Sequence, residues 1–323
     1  MTITAELHSL IIYIVFGYLF LLPLLLLSLK IFNISGAVHR LWLYLLAFLT
    51  PPAAFIIYHT VLMKRCETGH TPGWGESAFH MLCLVSETMV RGLLPLLGLL
   101  ITFALLKAGA AAIMIARLKQ KPGSLAPDKE RAVKIILNRL SADLKITPPE
   151  LLVSSRSGFA AYTAGFFKPV LVLNSRMADL LDEKEMQALI GHELVHISRF
   201  DTLKHWLMGL LRDIALLNPL SIFLHRGYLL EKEVICDREA AKLAGLAPAD
   251  YAAALVKIWR SLLEQQPPQF APVSSFTGSG DMNRRVSALL EKNNSGSGFS
   301  TLLSTLVGIF LFAATILFLG VVC

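Results

Sequence analysis

The chain has 323 residues, of which 54% are hydrophobic and 16% are charged, and its net charge is +7. Soluble domains average about 45–50% apolar and about 25% charged residues, so the composition favours a membrane protein with a soluble insert. The basic excess is attributed to residues flanking the apolar runs, with no direct nucleic-acid partner. The four cysteines form no CxxC pair and no disulfide-like spacing, which excludes a disulfide-stapled secreted fold.

Apolar runs of about 20 residues predict transmembrane helices in the two ends of the chain. Three are expected before residue 118, at about Leu10–Leu29, at about Leu41–Met63, and from after Arg91 to near Arg117. A fourth is expected at about Phe299–Val322. The first run is interpreted as a retained helix, because no Lys or Arg precedes it and no small-residue cleavage site follows. The segment Ser77–Val90 is predicted to be an interfacial or extramembrane helix.

Lysine and arginine placement predicts the orientation in the membrane. Basic residues follow the third span and precede the fourth, whereas the N-terminal tail has none. The positive-inside rule therefore places residues 118–298 in the cytoplasm and both termini outside. The predicted domains are a membrane region at 1–117, a cytoplasmic domain at 118–298 and a final transmembrane helix at 299–323.

The central segment is predicted to mix helices with a little strand. A helix is expected after Pro127, a strand at Leu151–Ser154, and further strand material at Ala160–Asn174. Asp182 is expected to cap a helix over Lys184–Arg199 by a capping box. Later helices are predicted at Thr202–Leu217, Tyr228–Leu243 and Pro248–Leu263, and a loop at Gln265–Gly280.

The residues His192-Glu193-Leu194-Val195-His196 lie in one of these predicted helices. Residues four apart lie on one face of a helix, so both imidazoles can bind one metal ion, and Glu193 can activate a water molecule. The motif fixes only three of its five residues and is weak alone. The helix around it is largely apolar, however, and buried polar groups need a partner such as a metal ion. Catalytic zinc takes three protein ligands, so the chain must supply a third.

The third ligand is expected downstream of the motif. Candidates are His205, His225, Glu231, Glu233, Cys236, Asp237 and Glu239. We favour Glu233, because Asp237 lies one helical turn further on and could accept a hydrogen bond from a ligating histidine. His205 is more simply a polar residue at the edge of an apolar helix. Cys236 would be a suitable soft ligand but is more simply a small buried residue.

Other motifs surround this one. They are Ile197-Ser198-Arg199-Phe200-Asp201, Asn218-Pro219, Arg226, Glu233-Val234-Ile235-Cys236-Asp237, Tyr251–Leu255 and Arg285–Leu290. With these motifs and the order of its spans, the chain resembles the M56 membrane peptidases, which include the beta-lactam sensor-transducers. The resemblance implies an α-helical membrane protein of about four transmembrane helices, with an inserted, mainly α, α+β gluzincin-type zinc protease domain. It makes Glu233 the third zinc ligand and Glu193 the catalytic base.

The resemblance also bears on substrate and signal. The stretch Ala161–Asn174 looks like the edge-strand region of gluzincins, which could bind an extended peptide, although a hairpin that only packs on helices is an equal alternative. The sensor-transducers carry an extracellular penicillin-binding domain after the last span, whereas this sequence ends at Cys323. Any signal is therefore expected from the membrane, from the 64–91 loop or from a partner protein.

The main functional hypothesis is zinc-dependent endoproteolysis in signal transduction at a bacterial cytoplasmic membrane. The expected substrate is a cytoplasmic or membrane-proximal protein, such as a transcriptional repressor or the chain itself. The lipid bilayer is the other expected partner, and a homodimer is left open. One alternative is a quality-control membrane protease similar to the HtpX group. Another is a zinc-binding scaffold that does not cleave, against which an intact Glu193 argues.

Overall fold

The structure, a computed structural model, describes residues 3–57, 123–156, 158–165, 168–214, 220–264, 279–291 and 298–322, with isolated positions between 98 and 116. The helices are α1 (Ile3–Ile31), α2 (Ala37–Ile57), α3 (Pro127–Asp143), α4 (Ser175–Leu180), α5 (Glu183–Ser198), α6 (Asp201–Ile214), α7 (Leu220–Leu243), α8 (Pro248–Glu264), α9 (Ser279–Leu290) and α10 (Gly298–Val322). The strands are β1 (Glu150–Ser154), β2 (Ala161–Ala164) and β3 (Val170–Asn174). The chain divides into two compact units.

The first unit contains α1, α2, α10 and the segment Gly209–Glu231. The three helices pack on one another, and the Tyr18 hydroxyl donates a hydrogen bond of 2.7 Å to the Phe48 carbonyl. Within the described residues, Tyr13–Ile31 and Ser300–Leu319 are long and apolar enough to cross a membrane. These two stretches coincide with the first and last predicted spans, which supports a membrane protein.

Helix α2 lies where the second span is predicted, with Pro51 and Pro52 inside it. Prolines are tolerated in membrane helices when neighbouring groups satisfy the freed carbonyls. The third predicted span falls almost entirely, and the predicted helix Ser77–Val90 entirely, outside the described residues. The orientation and the domain boundaries stay predictions.

The first half of α7 contacts α2 within the first unit. A Cβ atom added at Gly227 would lie 2.5 Å from the Tyr44 ring, so this close approach requires glycine. Further along α7, Glu231 is 1% exposed and lies 3.0 Å from Arg40 Nε. These two contacts join α7 to α2 through a close approach at Gly227 and a partly buried ion pair at Glu231.

The second unit is built on a three-stranded sheet of order β1-β3-β2. Strand β3 pairs parallel with β1 and antiparallel with β2, and all five of its residues are buried. Helices α3 and α5 cover the sheet with apolar side chains such as Leu140, Ile190 and Leu194. Strand β2 pairs on one side only among the described residues, and α5 packs against it.

The predicted strands and helices of this unit are present. The predicted capping box begins α5: the Glu185 amide donates to Asp182 Oδ1, and the Asp182 amide donates to Glu185 Oε2, both at 2.9 Å. The short helix α4 was not predicted, and the Asn174 side chain caps it. Helix α7 begins at Leu220 rather than at Tyr228. The predicted loop Gln265–Gly280 lies outside the described residues apart from its last two positions, which begin α9.

Candidate metal centre

The metal motif lies in the second half of α5, where the helix faces the interior of the second unit. His192 and His196 are one turn apart, and their side chains are 14% and 12% exposed. Their neighbours Leu194 and Val195 are fully buried. The apolar positions of α5 thus fix the rotation of the helix, and both histidines point the same way.

Glu233 of α7 meets the two histidines. His192 Nε2 lies 3.0 Å from His196 Nε2 and 3.2 Å from Glu233 Oε2, and His196 Nε2 lies 3.7 Å from Glu233 Oε1. These donor atoms surround one point, and together they could hold a metal ion. The structure therefore brings together the three residues predicted to be metal ligands.

The other ring nitrogen of each histidine has a buried carboxylate. His192 Nδ1 lies 3.1 Å from Asp237 Oδ1, and His196 Nδ1 lies 2.9 Å from Asp201 Oδ2. Asp237 was predicted in this supporting position, one turn after Glu233 on α7. Each Nδ1–H can donate to its carboxylate, which leaves both Nε2 lone pairs facing the same point.

Sequence reasoning gave Asp201 no role, although it lies five residues after His196. The chain turns sharply between α5 and α6 because Phe200 adopts φ +54°, and its amide donates to the Ile197 carbonyl at 3.0 Å. This left-handed conformation is uncommon for a residue other than glycine. It places the first residue of α6 back beside the last turn of α5. The sequence signal for Asp201 was its place in the motif Ile197–Asp201, which contributed to the resemblance to the M56 peptidases.

The protonation of the metal-free site follows from these carboxylates. Burial alone would lower the pKa of His192, but hydrogen bonds to Asp237 and Glu233 outweigh it and raise the pKa to about 10. Burial alone would raise the pKa of Glu233, but His196 and His192 hold it well below its usual value. Without a metal, His192 therefore carries a proton that lies among the two imidazoles and the Glu233 carboxylate, whose lone pairs would otherwise repel each other.

The donor set fits a tetrahedral metal ion. Zinc binds histidine nitrogen at about 2.0–2.1 Å, so two nitrogen ligands of a tetrahedral site lie about 3.3 Å apart. The separations of 3.0, 3.2 and 3.7 Å among the three ligand side chains bracket this value. Two imidazole lone pairs facing each other at 3.0 Å need a cation or a proton between them. The set of two nitrogens and one carboxylate oxygen leaves room for a water molecule or a substrate.

Glu193 lines the cavity that opens over these ligands. The cavity has a volume of about 530 Å³, and its walls include Tyr162 of β2 and Leu255 of α8. The Glu193 side chain is buried and makes no hydrogen bond or ion pair with another described residue. Its carboxylate can therefore accept a proton from a group bound in the cavity.

The remaining candidates for the third ligand do not belong to the cluster of His192, His196 and Glu233. His225 and Glu231 belong to the first unit, and Glu239 forms an exposed ion pair with Arg199. His205 lines the cavity but is outside the cluster of donors. The Cys236 thiol lies 3.3 Å from His196 Nδ1, the ring nitrogen that does not face Glu233. Burial and the nearby carboxylates raise the pKa of this thiol.

The sequence is similar to those of known peptidases. A family model described as BlaR1 peptidase M56 matches residues 10–289. A protein named protease HtpX homolog from Methanopyrus kandleri is 27% identical over 183 residues, which cover 46% of this chain and 56% of that protein. Another of the same name from Archaeoglobus fulgidus is 31% identical over 130 residues, which cover 39% of this chain and 36% of that protein. The chain thus spans about half or less of the curated relatives it matches.

Proposed function

The chain belongs to the M56 peptidase family, and from this membership we propose that it is an integral-membrane zinc endopeptidase. In this proposal His192, His196 and Glu233 bind the zinc ion and Glu193 is the general base. The observation that carries it is the convergence of three ligand side chains beside a buried glutamate that has no other described partner. Two imidazoles and one carboxylate suit zinc, and its catalytic sites keep one position open.

A bound zinc ion would supply Lewis-acid polarisation of the scissile carbonyl and activation of a water molecule. The protein's own groups do the rest. Asp237 and Asp201 accept the Nδ1–H of His192 and His196, so that each imidazole presents its Nε2 lone pair to the ion. Glu193 takes a proton from the attacking water and gives it to the leaving amine nitrogen as the peptide C–N bond breaks.

The proposed substrate is an extended segment of a protein. Strand β2 has one free edge among the described residues and lines the cavity, so a peptide could pair with its backbone. The cavity wall is largely apolar, with Leu189, Leu255 and Ile258 among its residues. An apolar side chain next to the scissile bond is therefore favoured.

Membrane placement belongs to the same proposal. The chain is proposed to have four transmembrane helices, with a gluzincin-type domain that faces the cytoplasm of a bacterial cell inserted between the third and the fourth. Helices α1 and α10 support two of these spans by their length and composition. The proposed substrates are a transcriptional repressor, another membrane-proximal protein or the chain itself.

The direct test is proteolysis by the purified full-length chain in detergent with zinc. Fluorescein-labelled casein would be digested beside Glu193→Gln, with Glu183→Gln as a matched control at the exposed start of α5. The proposal expects Glu193→Gln to be about 10²–10⁴-fold slower and the control to match the wild type. Equal rates for wild type and Glu193→Gln would rule out the proposed mechanism.

A second candidate function is quality control of membrane proteins, which the names of the two HtpX homologs favour. Mass spectrometry of new N-termini in cells carrying wild type or Glu193→Gln separates the two functions. One or a few cleavage sites that depend on Glu193 support signalling. Many sites in unrelated misfolded membrane proteins support quality control.

A further inference from the structure

An arginine from a separate helix reaches the centre. Arg285 of α9 has a side chain that is 12% exposed, and it contacts Asp237, whose side chain is 0% exposed. Arg285 Nε donates to Asp237 Oδ2 and Nη2 donates to Asp237 Oδ1, both at 2.7 Å. A two-pronged contact of this kind fixes the plane of the carboxylate as well as its position.

The carboxylate that Arg285 holds is the partner of a metal ligand. Asp237 Oδ1 also lies 3.1 Å from His192 Nδ1, and the Tyr251 hydroxyl donates to it at 3.2 Å. The three donors that surround this oxygen come from α5, α8 and α9. Because Arg285 binds both oxygens, rotation of the Asp237 carboxylate away from His192 would break two charged hydrogen bonds.

We propose that Arg285 is a positioning residue for the metal: it aligns the Asp237 carboxylate so that His192 keeps its proton on Nδ1 and its Nε2 lone pair for the ion. This inference rests on the proposed zinc function. Among the described metal-ligand side chains, Arg285 comes nearest to Glu233, with Nη2 3.9 Å from Oε2. This is much longer than its 2.7 Å hydrogen bonds to Asp237, so Arg285 acts through Asp237.

The charges of the centre support this role. Asp201 and Asp237 are buried carboxylates and Glu233 is a partly buried one, and Arg285 and Lys232 are two cations beside them. Without Arg285 the buried Asp237 carboxylate would keep only His192 and Tyr251 beside it, and an unpaired buried charge is costly. Lysine could supply the charge of Arg285 but could not make the two-pronged contact.

A second arginine provides a control for simple helix packing. Arg238 of α7 donates to the Ala288 carbonyl of α9 through Nε at 3.0 Å and Nη2 at 2.7 Å. It therefore joins the same two helices as Arg285 does, but its guanidinium binds a backbone carbonyl of α9 and not the Asp237 carboxylate. If zinc affinity falls only because α9 packs less tightly, it should fall in variants of both arginines. If it falls because the Asp237 carboxylate is misaligned, it should fall only in variants of Arg285.

The test is the zinc affinity of the full-length protein in detergent, measured by competition with a chelator. Arg285→Lys is expected to bind zinc about 10–100-fold more weakly than the wild type. Arg238→Lys is expected to keep the wild-type affinity even if it lowers the melting temperature. The visible absorption spectrum of the Co²⁺-loaded protein should change in Arg285→Lys and not in Arg238→Lys.

A double variant tests whether Arg285 acts on zinc binding through Asp237. It also keeps the proposal testable if Arg285→Lys folds poorly. Asp237→Asn with Arg285→Gln keeps an amide pair and buries no charge. Its zinc affinity should match that of Asp237→Asn alone within about twofold, because coupled residues are not additive. A further tenfold loss in the double variant, or an unchanged affinity in Arg285→Lys, would overturn the inference. Absence of zinc binding by the wild type would instead overturn the proposed function.

Discussion

Asp201→Asn is expected to weaken zinc binding while leaving the fold intact. The substitution keeps the shape of the side chain and removes the negative charge that lies 2.9 Å from His196 Nδ1. Loss of a carboxylate partner of a ligating histidine costs about 10–100-fold in metal affinity. The asparagine oxygen can still accept the Nδ1–H of His196. The expected loss of zinc affinity is therefore at the lower end of this range, about tenfold or about 1.4 kcal/mol.

The assay is chelator competition for zinc on purified protein, with thermal unfolding followed in parallel. Asp179→Asn is the matched control, because the Asp179 side chain is 67% exposed and pairs with Lys129 at 3.2 Å. A surface pair of this kind contributes at most about 1 kcal/mol and lies away from the ligands. Equal zinc affinities for Asp201→Asn and wild type would refute the role given to Asp201. Equal losses of zinc affinity in Asp201→Asn and Asp179→Asn would indicate a general effect of removing a negative charge.

Four further predictions concern the general base, the metal-free site and two glycines. Glu193→Gln should retain full zinc content while its turnover falls about 10²–10⁴-fold, as metal analysis and a peptide assay would show. Zinc affinity should rise between about pH 6 and about pH 9, because the metal-free site holds a proton on His192, whose pKa is about 10, and zinc must displace it; a flat titration would contradict this. Gly227→Ala should destabilise the protein by about 1–3 kcal/mol through its clash with Tyr44. Gly209→Ala, where no described atom lies within 4 Å of an added Cβ, should stabilise it by about 0.5–1 kcal/mol, as thermal unfolding of both variants would show.

Local signals in the sequence predicted the start of α5 and the face of this helix that carries the two histidines. The capping box at Asp182 and the turn of four residues between His192 and His196 depend only on near neighbours in the chain. The same holds for the spacing of Glu233 and Asp237, which places both on one face of α7. The match to the M56 family confirms the resemblance inferred from these motifs.

Other contacts depend on the tertiary fold. Asp201 reaches His196 only because Phe200 takes a left-handed conformation, and no pattern of residue types encodes that choice at a phenylalanine. Arg285 meets Asp237 across 48 residues of sequence, and Arg285 was noted only as part of a motif. The early start of α7 was missed because the Asn218-Pro219 pair was taken to end one helix without beginning the next.

The central claim is that His192, His196 and Glu233 hold one zinc ion. An experimental structure of the zinc-loaded protein, with anomalous scattering collected on both sides of the zinc absorption edge, tests it most directly. One strong peak is expected within bonding distance, about 2.0–2.2 Å, of a donor atom from each of the three residues. A peak among His196, Asp201 and Cys236, which form a second cluster of candidate donors, would contradict it, as would a fully loaded protein with no peak at this centre.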